Sequence, residues 1–246
     1  MIDVLKNHRT IRKYAEKLLD DALLNEILEA GVRASTTGNM QVYSIVVTKD
    51  QAKKEQLAPC HFNQPMIKQA PVTLTFCADF NRFNLWCKQN NAEPGYDNFL
   101  SFVTAAIDAL LVAQNVCVAA ESKGLGICYL GTTTYLADKI IDVLELPKGV
   151  VPITTVTIGY PDENPTQVDR LSLDALVHYE TYKDYSPDKI SELYREKEGL
   201  EENIAFVAEN ERETLAQVFT DVRYKKADNE HFSKVLLEVI KKQGFL

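Results

Sequence analysis

The order of apolar and polar positions divides the chain into short helices and strands separated by Gly, Pro and small polar residues. Residues 2–7 read as a short helix. Leu23, Leu24, Ile27 and Leu28 then recur at helical spacing, with Asp20 and Asp21 placed to cap the start and Gly31 near the end. Residues 42–47 are β-branched between polar neighbours and predict the first core strand, followed by a polar surface helix over 50–58 and a second strand over 72–78. The stretch 81–91 mixes Phe83 and Trp86 with polar groups and predicts a helical excursion that either covers a pocket or meets a partner subunit. Residues 127–131 form another element; Thr132, Thr133 and Thr134 open a helix with the stripe Leu136, Ile140, Ile141 and Leu144, and Pro147 stops it. Residues 152–161 are the clearest strand, halted by Gly159 and Pro161. Residues 188–223 are strongly charged and helical in pattern, and Phe232, Val235, Leu236, Val239 and Ile240 give a final amphipathic helix.

One segment differs from the rest. Between residues 99 and 120 the apolar positions Leu100, Phe102, Val103, Ala106, Ile107, Leu110, Leu111, Val116 and Val118 surround nearly the whole helical circumference instead of forming one stripe. Such a helix must be buried on all sides. It runs either through the centre of the core or with its outer face covered by a second subunit.

Composition narrows the class. A chain of 246 residues with 46% hydrophobic content can form a continuous core. A net charge of -8 repels phosphate and argues against a nucleic-acid binder. No charged-then-apolar leader pattern opens the chain, and polar residues interrupt the apolar runs before bilayer length, so the expectation is a cytoplasmic protein without a membrane partner. Five cysteines, odd in number and without a Cys-x-x-Cys pair, suit reduced buried thiols. Cys60 and His61 are adjacent but have no further ligand at metal spacing, so no metal site is expected. No linker is visible: the reading is a core over 1–185 with 186–246 as a C-terminal helical extension of the same domain.

The candidate chemistry begins at His8-Arg9-Thr10-Ile11-Arg12-Lys13-Tyr14, where four potentially cationic side chains lie within six residues. This donor density suits either a bound oxyanion such as a cofactor phosphate or a solvated basic turn. Thr36, Thr37 and Asn39 lie in a short polar run that is either a ligand-facing loop or a plain turn. Asn63 and Gln64 are either amide partners for a polar ring or loop residues facing water. Gly131, after Tyr129 and Leu130, either lets backbone N–H groups approach a ligand or makes a simple turn. Arg170 follows the strand ending at Gly159, a common ligand position.

These pieces together resemble the nitroreductase family, and within it the NADPH-dependent, oxygen-insensitive nitroreductases and flavin reductases. The matching features are His8-Arg9-Thr10-x-Arg12, the run from Arg33 to Gln41, Phe76 to Arg82, Gly124-Leu125-Gly126 with Tyr129-Leu130-Gly131, Leu146-Pro147, and Gly159-Tyr160-Pro161 with Asn164-Pro165 and Arg170-Leu171. The resemblance implies an α+β fold, a nitroreductase-like three-layer sandwich with a central mixed sheet flanked by helices, in an intertwined homodimer with two FMN sites at the subunit interface. Arg9 and Arg170 would meet the FMN phosphate, with His8 and Thr10 in support. Arg12 would approach the N1/O2 edge of the isoalloxazine. Thr36, Thr37 and Asn39 would contact the flavin from the other subunit, and Gln64 would bond its pyrimidine edge. Gly131, following Tyr129 and Leu130, would offer its N–H near flavin N5.

The implied activity is ping-pong hydride transfer through N5, from NADPH or NADH with NADPH favoured, to nitroaromatics, quinones or free flavins. A non-catalytic flavin-binding or flavin-storage protein on the same fold is the alternative. Three departures stand out. Val168 replaces a lysine common in the subgroup two residues before the phosphate arginine, Thr132-Thr133-Thr134 replaces a glycine-rich turn, and the late basic loop that grips NADPH is matched only by charge in Arg195, Arg212, Arg223, Lys225 and Lys226.

Overall fold

A computed structural model describes residues 2–246. The chain packs as two compact units, residues 2–166 with 232–246, and residues 167–231.

The first unit begins with α1 (Ile2–Lys6) and α2 (Asp21–Gly31). Asp20 caps α2 by accepting from the amides of Ala22 and Leu23, as the sequence predicts. There follow β1 (Tyr43–Thr48), α3 (Gln51–Leu57, capped by Asp50), α4 (Met66–Gln69), β2 (Val72–Asp79), α5 (Asn81–Gln89), α6 (Phe99–Ser122), β3 (Gly126–Leu130), α7 (Ala137–Leu144) and β4 (Val150–Gly159). The predicted stop at Pro147 is displaced. Helix α7 ends three residues earlier, where Glu145 adopts a left-handed φ of 55° and its amide bonds back to Ile141 and Asp142.

The strands form one sheet in the order β1-β2-β4-β3, and every ladder is antiparallel. The mixed sheet expected above is corrected to this extent: among the described residues the one parallel pairing is an isolated bridge between Thr10 and Ile127. The β2–β4 register shifts between Phe76 and Cys77, which pair with Thr154 and Pro152. A proline has no N–H to give a central strand, and a bulge is where it is tolerated.

Alternation along the strands sorts the core into two layers. Val72, Leu74, Phe76, Val156, Ile158 and Ile127 pack with α2 and α6. On β3 the alternate positions Cys128 and Leu130 face the other way, onto Ile11, Leu57, Cys60, Ile67 and Ile140. Helices thus cover both faces, giving the three-layer α+β sandwich. Gly31 lets α2 approach α6, because a Cβ there would fall 2.2 Å from Val116 Cγ2. All five cysteines are free and buried.

Within the single chain helix α6 is buried on one face, not on all sides as its all-round hydrophobicity predicts. Phe102, Ala105, Ala109, Val112, Ala113, Val116, Cys117 and Ala120 form the buried inner face, while Phe99, Leu100, Ile107, Leu110 and Leu111 are exposed. Among the described residues it is also the one helix long and apolar enough to cross a bilayer, yet its inner face is core.

The second unit contains α8 (Pro187–Glu198), α9 (Glu201–Glu209) and α10 (Leu215–Gln217), which continues as a π-helical turn over Val218–Arg223. Ser186 caps α8, with Pro187 at its first position. The final helix α11 spans Lys226–Lys242. From residue 232 onward it belongs to the first unit, within which Val239 and Ile240, with Phe245, pack on Val42, Phe80, Phe102 and Val151.

Candidate active site

The opening basic segment is laid along the end of the sheet. The Ile11 amide donates to Ile127 O at 2.9 Å, the Ala15 amide to Tyr160 O at 2.9 Å, and the Asp162 amide to Lys13 O at 3.0 Å. Gly126 makes this possible, since a Cβ would fall 2.6 Å from Ile11 Cβ. Tyr14 is buried here, bonds Thr157 and has its phenol pKa raised by burial.

Arg9 lines a cleft of about 510 Å³ together with Ile11, Glu121, Gly124, Glu163 and Asn164. Its Nη1 donates to Asn164 Oδ1 at 2.7 Å, and its Nε is buried without a partner. Two of the cleft's carboxylates are already engaged. Glu121 meets His8 Nδ1 at 2.6 Å, and Glu163 accepts from the backbone amides of Arg12 and Lys13. Thr10 is half-buried and holds its bridge to β3. The Arg12 side chain is exposed and is not among the residues lining this cleft.

The 35–39 run becomes a 3-10 turn over Thr37–Asn39. The Thr37 amide donates to Asp108 Oδ1 at 2.9 Å, and its hydroxyl lies 3.3 Å from the same oxygen. Thr36 is half-buried and Asn39 exposed, the latter with a left-handed φ of 56°. Asp108 is 1% exposed, and its Oδ2 has no partner. Sequence reasoning missed it. The signal was there: one carboxylate in an otherwise apolar helical run needs a donor from another segment.

Strand β3 delivers Tyr129, half-exposed and with its hydroxyl pKa raised by burial, then buried Leu130, then exposed Gly131 at the start of the 3-10 turn Gly131–Thr134. A Cβ on Gly131 would meet nothing within 4 Å, so space lies open above this backbone. Gln64 Nε2 reaches Thr132 Oγ1 at 3.4 Å, and the fully buried His61 places Nδ1 3.0 Å from the same oxygen. Burial lowers the His61 pKa to about 4.

Arg170 belongs to the second unit. It is exposed, and its Nη1 donates to the carbonyls of Asp169 at 2.8 Å and Val168 at 3.4 Å. Among the described residues no cluster of three or more potential metal ligands occurs.

Known proteins supply the class. Residues 5–160 match the model of the nitroreductase family. The chain therefore belongs to the nitroreductase family. A solved structure from Bacteroides fragilis is 59% identical, with a TM-score of 0.98 over 99% of each chain. The Bacillus subtilis protein named FMN reductase (NADPH) is 33% identical over 80% of this chain and 84% of its own. A Bacillus subtilis nitroreductase of known structure has a TM-score of 0.87 at 28% identity, covering 99% of this chain and 98% of that one.

Proposed function

We propose that the protein is an FMN-dependent oxidoreductase that draws electrons from NADPH or NADH, with NADPH favoured, and reduces electron-poor acceptors such as nitroaromatics, quinones or free flavins. The family and the FMN reductase named among its relatives support the cofactor and the donor. The observation that carries the reading is the open space over Gly131, at the end of a strand whose neighbouring side chain, Leu130, is buried. A flat ring can lie against such a backbone, and a substituted residue there would fill the space.

The chain fits a phosphorylated planar cofactor in a second respect. Arg9 holds a buried donor without a protein partner, a group suited to a phosphate oxygen. When bound, FMN supplies a two-electron carrier that takes hydride at N5 and releases it, so donor and acceptor use one place in turn. The protein's own work is binding and orientation. Arg9, supported by His8 and Thr10, would hold the phosphate. Arg12 would face the N1/O2 edge, where a cation favours reduced, anionic flavin. Gly131 would direct its N–H toward N5, with Tyr129 and Leu130 setting its position, and Gln64 would bond the pyrimidine edge. Thr36, Thr37 and Asn39 would contact the flavin from a second subunit. The phosphate role of Arg170 rests on the resemblance and is tested separately.

The exposed apolar face of α6 supports a homodimer, and the buried free thiols support a cytoplasmic setting. Purified protein should be yellow, sediment as two chains, and oxidise NADPH faster than NADH with menadione or nitrofurazone. Rapid reduction of the bound flavin by either nucleotide in stopped flow removes the flavin-storage alternative. A colourless preparation that takes up no added FMN overturns the proposal. Arg9→Ala and Arg170→Ala should each weaken FMN binding more than binding of riboflavin, which lacks the phosphate.

A further inference from the structure

Two side chains from one segment, His61 and Gln64, reach the hydroxyl of Thr132 in another. His61 closes the 3-10 turn Ala58–His61, Gln64 follows it, and Thr132 lies in the turn that begins at Gly131. Thr132 Oγ1 is 3.0 Å from His61 Nδ1 and 3.4 Å from Gln64 Nε2. The far nitrogen of His61, Nε2, is buried and has no partner.

Proton counting limits this cluster to a few arrangements, one of which is a directed relay. Burial keeps the imidazole neutral at pH 7, so it carries one N–H. A hydroxyl has one proton and accepts on its lone pairs, while an amide nitrogen only donates. Gln64 Nε2 donates to Thr132; in the tautomer that carries its proton on Nε2, His61 Nδ1 accepts the Thr132 hydroxyl proton and the three groups form one relay. With its N–H2 turned inward, the Gln64 amide has its carbonyl oxygen left for a ligand.

We propose that His61 is a positioning residue that acts through Thr132 to hold Gln64 as a hydrogen-bond acceptor, making the site selective for a ring that presents an N–H at that edge. This rests on the reading that Gln64 meets the pyrimidine edge of FMN, whose N3 carries such a proton. The opposite relay, His61 to Thr132 to the Gln64 oxygen, would present an amide donor and prefer a ring acceptor. The two relays differ in the tautomer of His61 and in which end of the Gln64 amide faces Thr132.

Two experiments decide between them. In protein stripped of flavin, long-range 15N–1H correlation spectra at pH 7, with His61 assigned by its loss in His61→Gln, should show a protonated Nε2 and a pyridine-like Nδ1. A protonated Nδ1 overturns the proposal. In binding titrations, wild type should prefer FMN over its N3-methyl analogue by roughly tenfold, the worth of one hydrogen bond in a partly buried site. Thr132→Val and His61→Phe should bind both flavins within about twofold of each other, and Thr132→Ser should restore the preference, separating a relay from loss of fold. Equal wild-type affinity for the two flavins, or an undiminished preference in folded Thr132→Val, overturns the relay. Wild type that binds neither flavin sinks the FMN reading itself and leaves the tautomer result standing.

Discussion

The two faces of α6 share a helix, an N-cap and a nearly uniform apolar composition, but their surroundings differ. The inner face is sealed against the sheet and α2, with Val112 and Val116 fully buried, whereas Leu100 is 73% exposed on the outer face. Hydrophobicity alone therefore does not locate a core. It states that water must be excluded, and the fold supplies the exclusion on one side only.

The largest test of that contrast is a paired substitution. Val112→Asp places an unpaired carboxylate among packed side chains and should cost more than about 4 kcal/mol, leaving no soluble folded protein. Leu111→Asp, one residue away and half-exposed, should keep native far-UV circular dichroism but shift the sedimenting mass to a single chain. An unchanged mass would sink the covered-face reading.

A second test compares the inner face of α6 with the other buried layer, where His61 sits. Its folded pKa of about 4 lies below the ordinary value of 6.5, so the unfolded chain binds the proton first as pH falls. Stability is full above pH 6.5 and is lost down to pH 4, by about 3 kcal/mol. Urea titrations at pH 7 and pH 4 should show wild type losing that much more than His61→Gln; parallel losses would refute the assignment.

Gly31→Ala probes the α2–α6 seam and should destabilise by about 1–3 kcal/mol with an unchanged urea m-value, because the added methyl collides with Val116. The smallest effect belongs to the surface at the end of the same helix. Lys123 pairs with Glu26 in solvent, and Lys123→Ala should change the urea midpoint by less than about 1 kcal/mol.

What the sequence disclosed follows the range of the interactions involved. The Asp20 cap and strand β2 were legible because a cap acts over three residues and a strand declares its own composition. The end of α7 was not. Glu145 adopts the left-handed conformation without being glycine, so Pro147 looked like the nearest stop signal. At Gly131 the sequence offered a ligand approach or a simple turn, and the structure adds that a Cβ there would meet nothing within 4 Å. The tie from Thr37 to Asp108 and the meeting of His61 with Thr132 each span 71 positions and leave no periodic trace. The packing of Val239 and Ile240 onto Phe80 is of the same long-range kind.

The register shift opposite Pro152 has a consequence for assembly of the sheet. If β4 slipped by one residue along β2, Val156 and Ile158 would turn to the opposite layer and the proline would face a carbonyl it cannot satisfy. The irregularity therefore works as an alignment key, admitting one pairing of the two central strands and rejecting its neighbours.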